Sequence, residues 1–149
     1  MKKLILMAII LMVGMAQVKA QIESPVKWSY LAKKGAGGMA TLYIKATIES
    51  PWHIYSVNQK PGGPEKTAFT FTKSTGFALV GKVSEPKPVT KFEEVFGINV
   101  SYFENSVIFS QKIKLKAKQT VVKGKVSFMA CNEKSCLPGD EVAFSIPVK

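Results

Sequence analysis

Thr41-Leu42-Tyr43-Ile44-Lys45-Ala46-Thr47-Ile48 alternates strictly. Leu42, Ile44, Ala46 and Ile48 fall on one side, Thr41, Tyr43, Lys45 and Thr47 on the other. Successive side chains of a strand point to opposite faces, so period two marks a strand with one buried face; a helix would repeat at 3.6. The same period runs outward in both directions. Trp28, Tyr30 and Ala32 alternate with Lys27, Ser29 and Lys33. Phe69 and Phe71 lie between Ala68, Thr70 and Thr72, and Val107, Phe109, Ile113 and Leu115 alternate with Ser110, Lys112 and Lys114. Val122, Val126 and Phe128 oppose Lys123, Lys125 and Ser127, and Val142, Phe144, Ile146 and Val148 close the chain.

Turn signals separate these runs: Gly35-Ala36-Gly37-Gly38, Pro61-Gly62-Gly63-Pro64, Pro86-Lys87-Pro88, Lys123-Gly124 and Pro138-Gly139-Asp140. No stretch has the pattern of an amphipathic helix. Seven or more short strands in one core-sized chain predict an all-β fold, an antiparallel β-sandwich of immunoglobulin-like type. Ser84 to Val100 has mixed signals and is expected to be a long loop; such loops are often functional.

The N-terminus predicts export. Lys2 and Lys3 precede an apolar run from Leu4 to Met15, which is long enough for a signal-peptide core and too short to span a bilayer. Val18-Lys19-Ala20 predicts cleavage after Ala20, which divides the chain into a signal peptide, 1–20, and one domain, 21–149. No second hydrophobic span follows, so a membrane partner is expected to be another chain, and no stable membrane anchor is expected. The formal charge is +11, and loss of Lys2, Lys3 and Lys19 leaves +8. Every basic residue is lysine, which argues against specific nucleic-acid recognition, where the guanidinium fork is the usual tool. The alternating lysines read as a solvated strand face that keeps the protein soluble and its sheet edges unpaired.

The chemistry concentrates at Phe128-Met129-Ala130-Cys131-Asn132-Glu133-Lys134-Ser135-Cys136-Leu137-Pro138. Cys131 and Cys136 are the only cysteines, and an exported protein carries them where disulfides persist. A resting disulfide between them is expected. So small a loop stabilises by only about 2 kcal/mol in the entropy description. With Val126, Phe128 and Ala130 on the core phase, Cys131 is expected to point away from the core, at an accessible position. The spacing alone leaves two readings open: a local staple, or a couple that exchanges electrons with a partner. Two cysteines and the single histidine, His53, do not complete a structural zinc site, so no metal and no cofactor are expected. The four-residue separation differs from the two-residue spacing of thioredoxin-type motifs, and the signatures of Cys–His hydrolases are absent.

Four segments resemble the family of N-terminal periplasmic domains of the thiol:disulfide interchange protein DsbD. They are Ser50-Pro51-Trp52-His53-Ile54-Tyr55-Ser56, Gly62 to Phe71, Phe92-Glu93-Glu94-Val95-Phe96-Gly97, and the cysteine segment with Leu137-Pro138 after it. The last is the most specific. The resemblance implies a periplasmic domain of immunoglobulin-like fold. Its cysteine pair takes electrons from a membrane electron-transfer protein or thioredoxin-like partner and passes them to oxidised exported proteins. It implies that Cys136 attacks and Cys131 resolves. It also implies a cap from Glu93, Glu94 and either Val95 or Phe96, with His53 and Tyr55 shielding the pair. Any protein-disulfide reductase activity would then depend on a separate electron donor. The competing reading is an immunoglobulin-like binding or adaptor module whose disulfide only shapes a loop. Lys134, between the cysteines, fits either a thiolate-stabilising charge or a plain turn residue.

Overall fold

The structure is a computed structural model and describes residues 24–149, so the predicted signal peptide and its cleavage site lie outside the described residues. Eleven strands run through it. They are β1 (Val26–Lys34), β2 (Met39–Ile48), β3 (His53–Tyr55), β4 (Ala68–Phe71), β5 (Phe77–Ser84) and β6 (Val89–Glu93). Then follow β7 (Ile98–Glu104), β8 (Ser106–Leu115), β9 (Thr120–Phe128), β10 (Ala130–Cys131) and β11 (Asp140–Val148). All pairings are antiparallel, in sheets ordered β1-β2-β8-β5, β10-β3-β7-β6 and β11-β9-β4.

Burial explains the layering. Leu42, Ile44, Ala46 and Ile48 turn inward, as the alternation requires, and so do Val107, Phe109 and Ile113 of β8. At one end of the sandwich they meet Ile54, Phe103, Phe128 and Ala130; at the other they meet Val122, Phe144, Ile146 and Val148. The four-stranded sheet β1-β2-β8-β5 is therefore one layer, and the other two sheets lie side by side across the core. Phe109 has no exposed surface and touches the rings of Trp28, Phe69 and Phe103.

Two expectations are corrected. The segment 84–100 is not a structureless loop: from Val89 onward it belongs to the hairpin of β6 and β7. β6 is an edge strand whose residues are nearly all exposed, so it carries no hydrophobic alternation to reveal it. Gly124 is not in a turn but inside β9, paired with Phe144 and Phe71. A Cβ there would meet the carbonyl oxygen of Thr70 and sit 2.6 Å from Cζ of Phe144. Gly124→Ala is accordingly expected to destabilise by about 1–3 kcal/mol, read as a lowered denaturant midpoint, although alanine has the better strand propensity. Gln111 takes a core position in β8. It is buried, and its amide donates to the carbonyl of Val80 at 3.2 Å, where β5 bulges between Val80 and Ser84. The side chain fills the hydrogen-bonding gap that the bulge opens.

Candidate redox site

The site grows on the outer face of the sheet β10-β3-β7-β6. Register places Ala130, Ile54 and Phe103 in one row across three strands, and all three point into the core. The adjacent row is Cys131, His53 and Glu104. By the pleat, this row faces the opposite way, together with Tyr55 and its partner Tyr102. Cys131 thus points away from the core, as its phase predicts. Its expected accessibility is corrected: it is only 2% exposed, because Tyr55 and Val100 pack around it as a small second cluster. Cys136 is exposed.

The two sulfurs form a disulfide across a tight loop. Asn132 organises that loop. Its Oδ1 accepts hydrogen bonds from the backbone N–H of Lys134 at 2.9 Å and of Ser135 at 2.8 Å, an Asx-type turn. The N–H of Asn132 donates to the carbonyl of Ser135 at 2.9 Å, and that of Leu137 to Ala130 at 2.9 Å. The loop is pinned on both sides of the bridge.

His53 and Tyr55 share the strand face. His53 Nε2 lies 3.1 Å from Tyr55 Oη, and its ring is 4.9 Å from that of Tyr102. Burial pushes the imidazole pKa down, opposed by Glu104 and Glu93 and assisted by Lys91. Burial pushes the Tyr55 phenol up to about 12, with Glu93 and Tyr102 adding to it. Both rings are therefore neutral at pH 7 and form an uncharged wall beside the sulfurs. Their strand is held from behind. Thr67 Oγ1 donates to the carbonyl of Tyr55 at 2.5 Å, and Glu85 binds Ser56 and the N–H of Val57.

The hairpin β6–β7 supplies the remaining wall. Its turn closes through the N–H of Gly97, which donates to the carbonyl of Glu93 at 2.9 Å, with Gly97 at φ 66 in the left-handed region. A cavity of about 540 Å³ lies between hairpin, strand and cysteine loop. Cys131, Cys136, His53, Tyr55, Glu93 and Phe96 all line it. Glu94 and Val95 do not; Val95 is 88% exposed at the tip of the turn. Of the two alternatives for the cap, Val95 and Phe96, only Phe96 lines the cavity. Lys91 pairs with Glu93 at 3.3 Å, and this contact raises the lysine pKa. Lys134 is exposed and does not line the cavity.

Sequence reasoning missed Val100, Tyr102 and Glu104, which line the same cavity. The signal was present in Ile98-Asn99-Val100-Ser101-Tyr102-Phe103-Glu104, which alternates with Phe103 on the core phase. Among the described residues, no group of three or more His, Cys, Asp or Glu side chains is placed to hold a metal ion. No helix among them is long and apolar enough to cross a membrane.

Residues 20–147 match the family described as thiol:disulfide interchange protein DsbD, N-terminal. No curated protein sequence matches the chain. Several solved structures share its fold, among them these three. The DsbD N-terminal domain of Neisseria meningitidis in its reduced form is 17% identical, with a TM-score of 0.52 over 70% of this chain and 74% of that one. The N-terminal periplasmic domain of ScsB from Proteus mirabilis is 17% identical, with a TM-score of 0.55. That match covers 80% of this chain but only 44% of the ScsB chain. A complex between the DsbD and PilB N-terminal domains of Neisseria meningitidis contributes a third, at 13% identity and a TM-score of 0.53, over 70% of this chain and 73% of that one. At these identities the likeness establishes the immunoglobulin-like sandwich and nothing finer.

Proposed function

Because the chain belongs to the family of N-terminal domains of the thiol:disulfide interchange protein DsbD, we propose that it is an exported thiol–disulfide interchange module acting in the periplasm through Cys131 and Cys136. It passes electrons to or from thioredoxin-like partners or oxidised exported proteins. The observation that carries this reading is the asymmetry of the pair: Cys136 is exposed at the mouth of the cavity and Cys131 is buried on its floor. An incoming thiolate reaches Cys136 and forms a mixed disulfide with it, and Cys131 leaves as a thiolate. A second partner thiolate then attacks its own sulfur of that mixed disulfide and releases Cys136. The chain ends with two thiols and the partner with one disulfide. In the other direction, the Cys136 thiolate attacks a partner disulfide. Cys131 then attacks Cys136, restoring the bridge and releasing a dithiol.

A DsbD N-terminal domain of Neisseria meningitidis has been solved in complex with the PilB N-terminal domain, which supports a protein partner for this chain. The deciding measurement is the reduction potential of the pair, from equilibration with glutathione buffers. A value above about −300 mV is expected for an exchanging couple; a lower one assigns the bridge a structural role.

Phe96 is proposed as the cap that a partner displaces. In the reduced protein, Phe96→Ala is expected to speed alkylation of the cysteines several-fold. Val95→Ala, which alters a side chain outside the cavity, is expected to leave the rate unchanged. Equal rates for Phe96→Ala and the unaltered chain would remove the cap from the mechanism.

A further inference from the structure

The outer face of the sheet β1-β2-β8-β5 has a composition that the redox chemistry does not use. None of its four strands contains an aspartate or glutamate, while all four contain lysine. Lys33, Lys45 and Lys112 are exposed on that face, and no carboxylate among the described residues forms an ion pair with them. Carboxylates lie at its borders instead: Glu49 after β2, paired with Lys27 at 3.5 Å, and Glu85, engaged with the loop after β3. Between the lysines stand apolar side chains. Leu31 is 63% exposed and lies opposite Tyr43; Ile108 is 49% exposed and lies opposite Lys45. They share a shallow groove of about 440 Å³ with Lys33 and Lys45.

A solvated strand face needs lysines but no exposed leucine and isoleucine between them. Cations around a small apolar centre, with no anion among them, match the interface of an anionic bilayer. There the lysines meet lipid phosphates and the apolar groups enter the headgroup boundary. The face is also separate from the redox cavity, to which none of its strands contributes a lining residue. A chain resting on this sheet therefore keeps its cysteines clear of lipid. We infer that the outer face of β1-β2-β8-β5 is a docking surface for anionic phospholipid membranes. The inference is independent of the redox reading.

Flotation with vesicles tests it. The chain is mixed with phosphatidylcholine vesicles, or with vesicles also containing phosphatidylglycerol, at low ionic strength. It is expected to float with the anionic vesicles only and to be released by high salt. Each lysine near such a surface is worth about fivefold in partitioning. Lys45→Glu/Lys112→Glu is therefore expected to lower binding by at least about twentyfold, with Leu31→Ser lowering it further. Every variant carries the same N-terminal residues, so differences among them report this face alone. An unchanged melting temperature shows that the variants fold. Failure to float with anionic vesicles would overturn the inference, as would equal flotation of the double variant. Binding to soluble polyglutamate with none to vesicles would also overturn it, and would point to an acidic polypeptide as the occupant.

Discussion

Cys131→Ala is expected to accumulate a stable mixed disulfide through Cys136, and Cys136→Ser is expected to accumulate almost none. The argument starts from burial. Thiol–disulfide exchange needs the attacking and attacked sulfurs in line, so the sulfur that a second protein can approach enters the intermolecular bond. Cys136 is exposed at the end of a loop held open by Asn132, whereas Cys131 is 2% exposed beneath Tyr55 and Val100. Removing Cys131 leaves the reachable thiol without the partner that would expel the adduct. Removing Cys136 leaves only the covered one. Alanine suits the buried position because a serine hydroxyl there would lack a defined hydrogen-bond partner. Incubation with glutathione disulfide, followed by intact-mass measurement, gives the two rates, expected to differ by an order of magnitude. Non-reducing gels of the native host's exported proteins then show whether a protein partner is captured. Equal adduct formation by the two variants would undo the assignment of Cys136 as the attacking sulfur.

That asymmetry was half legible in the sequence. The phase of β9 and β10 correctly turned Cys131 away from the core, because the pleat is a local rule that runs through Val126, Phe128 and Ala130. Its burial was not legible. The cover comes from Tyr55 and Val100, residues far away in the chain that reach Cys131 only through pairing of β10 with β3 and of β3 with β7. The sandwich itself was readable for the same local reason: strands with one wet and one dry face announce themselves at Leu42–Ile48 and Val107–Leu115. β6 did not, since an exposed edge strand has no dry face. Gly124 misled for a different reason. Glycine is a turn signal by conformation, but here it serves close approach, and the ring of Phe144 that requires it is set by cross-strand register. That Phe96 lines the cavity and Val95 does not likewise depends on the Glu93–Gly97 turn geometry, which the run from Phe92 to Gly97 does not specify.

The second large effect separates the core from the bridge. Phe109→Ala is expected to destabilise the protein by about 3–5 kcal/mol, the usual loss when a fully buried phenylalanine leaves a cavity. Phe109 is the ring on which both layers converge: Trp28 approaches it from β1, Phe69 from β4 and Phe103 from β7, at 6.3, 5.1 and 5.9 Å between centroids. Those partners come from all three sheets, so they cannot close the space without shifting the layers. A domain of this size has only about 5–15 kcal/mol in total, and the variant should melt far below the unaltered chain. Removing the disulfide with Cys131→Ala/Cys136→Ser constrains the unfolded chain less by about 2 kcal/mol at most, because the closed loop is so short. It should keep a single cooperative transition near that of the unaltered chain. Urea titrations of the two variants side by side make the comparison quantitative. If losing the bridge destabilised the protein as much as losing Phe109, the disulfide would be a staple of the fold. Its opening during exchange would then unfold the domain, and the interchange reading would fail on stability grounds alone. With the ordering expected here, the cysteines are free to open and close on a scaffold that other residues hold together.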